Sequence, residues 1–251
     1  MGRGGARRTA VAMAALGSLT AAALAGCGGS AKDRADAGGS GPGDKAGQAS
    51  ATADPTRIPD VGDRYQRLVP KDSRQVVAVY GDGPDSADAT VVLYVKQGSA
   101  WHRDRSWAAH NGTKGWTADH RENDKRSPVG VFTLTDAGGV LPDPDPDAGK
   151  GLPYTRSASF AAPRWWEKSY WHDFDYVIAI DYNRVKGTPP NDPTRPRGAS
   201  KGGGIWLHMD HGSGTSACVS LPKPGMEYLL RTLDPDAHPV VVMGDKARLK
   251  A

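Results

Sequence analysis

Apolar residues along this chain come in short runs separated by Gly, Pro and Asp, the punctuation expected of strands and turns. The runs are Gln75–Tyr80, Ala89–Lys96, Val129–Leu134, Tyr176–Tyr182, Gly204–Met209, Ala217–Leu221 and Pro239–Met243. Val, Ile and Tyr dominate them, and each is too short for an ordinary helix. One segment has a different period. Met226, Leu229, Leu230 and Leu233 follow i, i+3, i+4, i+7, with Pro222 and Pro224 ahead of them and Pro235 behind. That spacing predicts an amphipathic helix whose stripe packs into a core. A second short helix is expected around Trp165–Trp171. The pattern therefore predicts a mainly β fold, a sandwich or barrel with one or two short helices, and no internal repeat.

The N-terminus follows another logic. Arg3, Arg7 and Arg8 precede an uncharged stretch from Thr9 to Leu24, too short for a comfortable membrane span of about 20 residues. It closes on Leu24-Ala25-Gly26-Cys27, which looks like a lipobox, the signal at which a bacterial lipoprotein is lipidated on sulfur and cut before the cysteine. Residues 1–26 are thus expected to be a signal peptide, with Cys27 the lipidation site. The mature chain would be anchored to the cell membrane on its extracytoplasmic face, next to the cell wall. Residues 27–64 are rich in Gly, Ser, Ala, Asp, Pro and Lys and cannot bury enough surface to offset their ordering entropy. They are expected to form a flexible tether, leaving 65–251 as one domain of ordinary size and a monomer.

Charge changes once the signal is removed. The whole chain carries 32 basic and 28 acidic side chains, and loss of three arginines leaves 29 against 28. The high isoelectric point gives no support for a nucleic-acid partner.

Cysteine usage is more telling. The chain has two, Cys27 and Cys218. If Cys27 is lipidated, Cys218 is a free thiol outside the cytoplasm, where cysteines are usually paired. It is either a buried small hydrophobe or a nucleophile. Ile205-Trp206-Leu207-His208 alternates like a strand, Asp210–Thr215 supplies turn chemistry, and Ser216–Leu221 reads as a second strand. An antiparallel hairpin centred near Ser213 would set His208 and Cys218 opposite each other on one face. There His208 could take the thiol proton and hold a thiolate–imidazolium pair. Trp206 shares that face and is expected to line a cleft.

The order strand, His, Gly-rich loop, Thr215-Ser216-Ala217-Cys218 resembles the active-site segment of the YkuD-type L,D-transpeptidases of bacterial cell walls. Lys125-Arg126-Ser127-Pro128-Val129-Gly130-Val131-Phe132 is similar to that family's TPxGxF strand, and Ala179–Asn183 and Pro239–Gly244 to two further strands. The resemblance covers about Gln75 to Asp245 and implies an L,D-transpeptidase-like fold acting on peptidoglycan stem peptides. It implies Cys218 as nucleophile and His208 as base, with the Met209 carbonyl orienting the imidazole. The N–H groups of Ala217 and Cys218 would form an oxyanion hole, and no cofactor or metal would be needed. The chain departs from the pattern at Ser216, Ala217 and Ser220, which stand where the family has His, Gly and Arg or Asn. Only six residues separate His208 from Thr215.

Other residues carry smaller expectations. Ser216, Ser220 and His211 join Trp206 as candidate substrate contacts, with His211 either replacing the family's second His or simply solvated. Arg195, Arg197 and Lys201 could meet a carboxylate. Asp143, Asp145 and Asp147 lack a calcium-loop context, and the glycines at 202–204, 212 and 214 read as turns. The functions that fit are L,D-transpeptidation through a Cys thioester with release of terminal D-Ala, the same chemistry with water as acceptor (an L,D-carboxypeptidase), or non-catalytic binding of wall peptides.

Overall fold

The structure is a computed structural model, which describes residues 54–145 and 150–251. The signal segment, Cys27, most of the expected tether and Asp147 lie outside the described residues. No helix among the described residues is long and apolar enough to cross a membrane.

The fold is mainly β. In chain order the strands are β1 (Gln75–Gly81), β2 (Asp88–Gln97), β3 (Ala100–His110), β4 (Trp116–Thr117), β5 (Ser127–Pro128), β6 (Gly130–Thr133), β7 (Ala137–Gly139), β8 (Tyr154–Arg156), β9 (Val177–Ala179), β10 (Trp206–Met209), β11 (Val219–Leu221) and β12 (Val240–Asp245). Ten of them form one mixed, curled sheet in the order β6-β12-β1-β2-β3-β11-β10-β9-β7-β8, and β4 pairs with β5 beside it. Helices are few and short: α1 (Asp63–Gln66), α2 (Lys223–Thr232) and α3 (Lys246–Lys250). Around Trp165–Trp171 the chain forms a single 3₁₀ turn, Lys168–Tyr170.

All seven apolar runs contribute strands. The longest strand, β3, has no such run, because most of its central residues, His102 to Arg105 among them, face solvent. Its pairing with β2 also shifts register between Leu93 and Tyr94, which breaks the alternation a strand is read by. The helical stripe holds: Met226, Leu229, Leu230 and Leu233 are all buried in the main core.

β1 and β12 are buried on both faces, which explains their unbroken apolar composition. Val77, Val79, Val241 and Met243 face the main core with Leu207, Val219 and α2, while Val76, Ala78, Val240 and Val242 face a second cluster. That second cluster corrects the expected tether boundary at residue 64. Ile58, Val61 and Tyr65 are buried in it, the Tyr80 hydroxyl donates to the Pro59 carbonyl at 2.5 Å, and the Trp101 N–H donates to the Pro55 carbonyl at 2.7 Å. Ile58 and Val61, two apolar residues in a polar stretch, join Tyr65 and Leu249 in covering the outer face of β1. The folded unit therefore includes residues from Asp54 onward.

Candidate active site

Cys218 and His208 come from adjacent central strands, but not in the expected hairpin. β10 and β11 run parallel, with Leu207 opposite Val219 and His208 opposite Ser220. The intervening loop does not turn tightly; instead Thr215 bridges to Gly112, accepting from the Thr113 N–H at 2.8 Å and donating its own N–H to the Asn111 carbonyl at 2.9 Å. The loop thus travels out to the continuation of β3 before returning as β11. Gly214 makes this approach possible, since a Cβ there would stand 2.9 Å from the Thr113 Cα.

Parallel register still puts both residues on one face. Leu207 and Val219 point into the core, so His208 and Ser220 point the other way, and Cys218, one step before β11, falls beside Trp206. The Trp206 N–H donates to Cys218 Sγ at 3.4 Å, and Sγ contacts the Gly204 carbonyl at 3.6 Å. Two residues of stagger separate His208 from Cys218, about 8 Å between Cα positions in an ideal ladder. Among the described residues the thiol's hydrogen bonds are with Gly204 and Trp206, not with the imidazole.

The imidazole is fixed at one nitrogen. His208 Nδ1 lies 2.7 Å from the Met209 carbonyl, which can only accept, so Nδ1 carries the proton and Nε2 the lone pair. The ring is buried against the edge of Phe174, with centroids 5.3 Å apart. Burial pulls its pKa down to about 4, against the Met209 carbonyl, which favours the charged form. Burial pushes the Cys218 thiol up to about 11; the Trp206 N–H acts in the opposite sense and the Asp173 charge adds to the rise. The expected thiolate–imidazolium pair is therefore not the resting state. Low dielectric disfavours both charges, and the pair rests as a neutral thiol and a neutral base.

The Cys turn is braced from below. Ser127 Oγ donates to the Ala217 carbonyl at 2.7 Å and accepts the Gly112 N–H at 2.9 Å, and Thr215 Oγ1 donates to the Cys218 carbonyl at 2.7 Å. Both carbonyls are thereby tied back. Among the described residues no carbonyl or side chain accepts from the N–H of Ala217 or Cys218.

The other expected contacts divide. Ser216 is exposed and lines a cleft of about 410 Å³ with Trp165, Trp166, Glu167 and Tyr170. Trp206 is half-buried, its indole N–H bonded to the Pro190 carbonyl and its ring against Phe160 and Phe174. Ser220 does not line the cleft: it is fully buried, and its hydroxyl donates to Asp210 Oδ1 at 2.7 Å. His110 Nδ1 reaches the same oxygen at 2.7 Å. Burial opposes the Asp210 charge, but the bonds from Ser220, His110 and the Gly212 N–H outweigh it and hold the carboxyl below its ordinary value.

His211 is not solvated. Its side chain is 3% exposed, its Nδ1 lies 2.9 Å from Asp173 Oδ2, and its ring packs on Tyr170 with centroids 4.4 Å apart. Neither ring nitrogen has a well-aligned hydrogen bond among the described residues. Burial raises the Asp173 pKa to about 6 even though His211 pulls it down. The pattern of the sequence did not single out Asp173 or Phe174, which belong to no motif and lie just ahead of β9, and it read Asp210 only as turn chemistry.

No protein-family model matches the chain, and neither does any curated protein. Among solved structures the chain is similar to the helical cell shape determining protein Pgp2 from Campylobacter jejuni, at 15% identity and a TM-score of 0.40, covering 70% of this chain and 49% of that one. It is also similar to Bd1075 from Bdellovibrio bacteriovorus, at 14% identity and a TM-score of 0.37, covering 71% and 52%. The chain spans about half the length of each, and likeness at this level assigns no activity.

Proposed function

We propose that this chain is a cysteine acyl-transferase acting on peptidoglycan stem peptides, with Cys218 as nucleophile and His208 as base. One observation carries the reading: a free thiol shares a face with a buried imidazole whose Nδ1 is committed to a carbonyl, next to two N–H groups that have no acceptor among the described residues. That set supports a reading with Cys218 as nucleophile, His208 as base and the two N–H groups as donors to a tetrahedral oxyanion.

In this scheme the Cys218 proton passes to His208 Nε2 as Sγ attacks the carbonyl of the third stem residue. The oxyanion is met by the Ala217 and Cys218 N–H groups, donors of a kind that contributes about 3–4 kcal/mol to a transition state. The imidazolium returns the proton to the departing amine, D-Ala leaves, and a thioester remains. The side-chain amine of a neighbouring stem then attacks, transferring the acyl group and regenerating the thiol. Because burial disfavours the charged form of each partner, charge separates only while the bond forms.

The chain is proposed to work at the outer face of the membrane, held by lipid on Cys27. Incubating the soluble domain with tetrapeptide stems, with and without an amine acceptor, tests the reaction. Cross-linked product with the amine and loss of D-Ala in both cases is the expected result. Release of D-Ala without any cross-linked product would replace transfer by hydrolysis.

A further inference from the structure

Of the three cations expected to meet a carboxylate, two are already engaged. Lys201 pairs with Asp119, and the Arg197 guanidinium lies over the Tyr182 ring at 5.0 Å from its centroid. Arg195 is different. It is half-buried, and its Nη1 donates to the Asp192 and Thr194 carbonyls at 2.9 and 3.0 Å, which fixes the guanidinium plane. Among the described residues no carboxylate is in ion-pair contact with it.

The guanidinium is laid across Gly203 and Gly204. A Cβ at Gly203 would stand 2.0 Å from Arg195 Nε and 2.7 Å from Cζ, and one at Gly204 would stand 3.3 Å from Nη2. The glycines are needed at this point to make room for an arginine, beyond any part they have in a turn. Gly204 is also the residue whose carbonyl touches Cys218 Sγ at 3.6 Å. Gly204 thus lies between a held arginine fork and the thiol; among the described residues Arg195 Nε and Nη2 have no hydrogen-bond acceptor, and the neighbouring Asp192 carboxylate interacts with its charge without an ion-pair contact. Side-by-side Nε and Nη2 donors fit the two oxygens of a carboxylate.

We propose that Arg195 is a specificity-determining residue that clamps the free α-carboxylate of the residue expelled from the acyl donor. The inference rests on Cys218 being the acyl-transfer nucleophile. In a donor that ends in a free acid, that carboxylate lies one residue, a Cα step of about 3.8 Å, past the scissile carbonyl, and Gly204, whose carbonyl contacts Sγ, is also the residue the guanidinium lies over. Arg195 would supply the cation that Ser220, buried on Asp210, cannot.

The test compares alkylation of Cys218 by iodoacetate and iodoacetamide in the soluble domain, which needs no assumption about the natural substrate. The wild-type protein should favour the anionic reagent, and Arg195→Gln should lower the iodoacetate-to-iodoacetamide rate ratio about tenfold, the scale of one charge-assisted hydrogen bond. Arg195→Lys should keep part of the preference. Gly203→Ala, which displaces the guanidinium without removing its charge, should reproduce the loss and serves where Arg195→Gln fails to fold. With stem peptides, Arg195→Gln should lower kcat/KM for a donor ending in a free acid and leave the matching C-terminal amide unaffected. An unchanged reagent ratio in folded Arg195→Gln overturns the clamp while leaving the nucleophile standing. Failure of both reagents to modify Cys218 in the native protein at alkaline pH, where the thiolate begins to form, overturns the nucleophile, and the clamp with it.

Discussion

Cys218 and His208 share one face of two adjacent parallel strands, staggered by two residues, and each is electrically neutral at rest. A thiol placed this way is protected from casual oxidation, because the thiolate is the reactive form. It becomes nucleophilic only when a substrate brings an electrophilic carbon to it. Alkylation by iodoacetamide, which tracks the thiolate, should therefore keep rising with pH toward about 11 rather than levelling near the ordinary value of 9.0. A plateau near pH 9 would show that the thiol is not desolvated.

His208→Gln should leave the fold intact and lower the rate of Cys218 acylation by about 10²–10⁴, the usual contribution of a positioned base. Stopped-flow acylation measures it. Retention of the wild-type rate would remove His208 from the chemistry.

The same histidine sets an acid limit on stability. Its folded-state pKa is depressed to about 4 from 6.5, so its contribution is present above pH 6.5 and is lost as pH falls toward 4. Urea titrations should show the wild-type protein losing up to about 3 kcal/mol over that window, and His208→Gln losing less. Parallel pH profiles for the two proteins would contradict the buried, neutral imidazole.

Ser127→Ala should cost about 1–3 kcal/mol in chemical denaturation, because it strands the buried Gly112 N–H and Ala217 carbonyl together. It should also slow acylation, since the Ala217 peptide would no longer be tied back. A stable variant with full activity would deny the brace any part in the site.

Ile58→Ala should cost about 2–5 kcal/mol as a buried large-to-small change. A chain starting at Asp54 should melt cooperatively, whereas one starting at Tyr65 should be markedly less stable. Equal melting temperatures would return residues 54–64 to the tether.

Much of this was legible in the sequence, for identifiable reasons. Strands such as β1 and β12 are buried on both faces and show it as unbroken apolar runs, and α2 advertises its period through four core residues. The site's own strands were legible as apolar runs, and the Met209 contact was implied by the family resemblance. The direction of β11 was not, since a Gly-rich six-residue stretch before Thr215 is what a hairpin would use, and only the pairing of Thr215 with Asn111–Thr113 diverts it. β3 was missed because its exposed middle hides the alternation. Asp173 reaches the site from a distant segment, Asp210 read only as a turn residue and Ser127 only as part of a strand motif, and Arg195 looked like one solvated cation among three until the glycines beneath it were placed.

Intact-protein mass after exposure to a carbapenem, a reactive acyl donor, tests the central claim most directly. One adduct per chain, absent in Cys218→Ala and strongly slowed in His208→Gln, is the predicted result. No adduct on reduced, folded protein would contradict it and leave a domain that binds without catalysing.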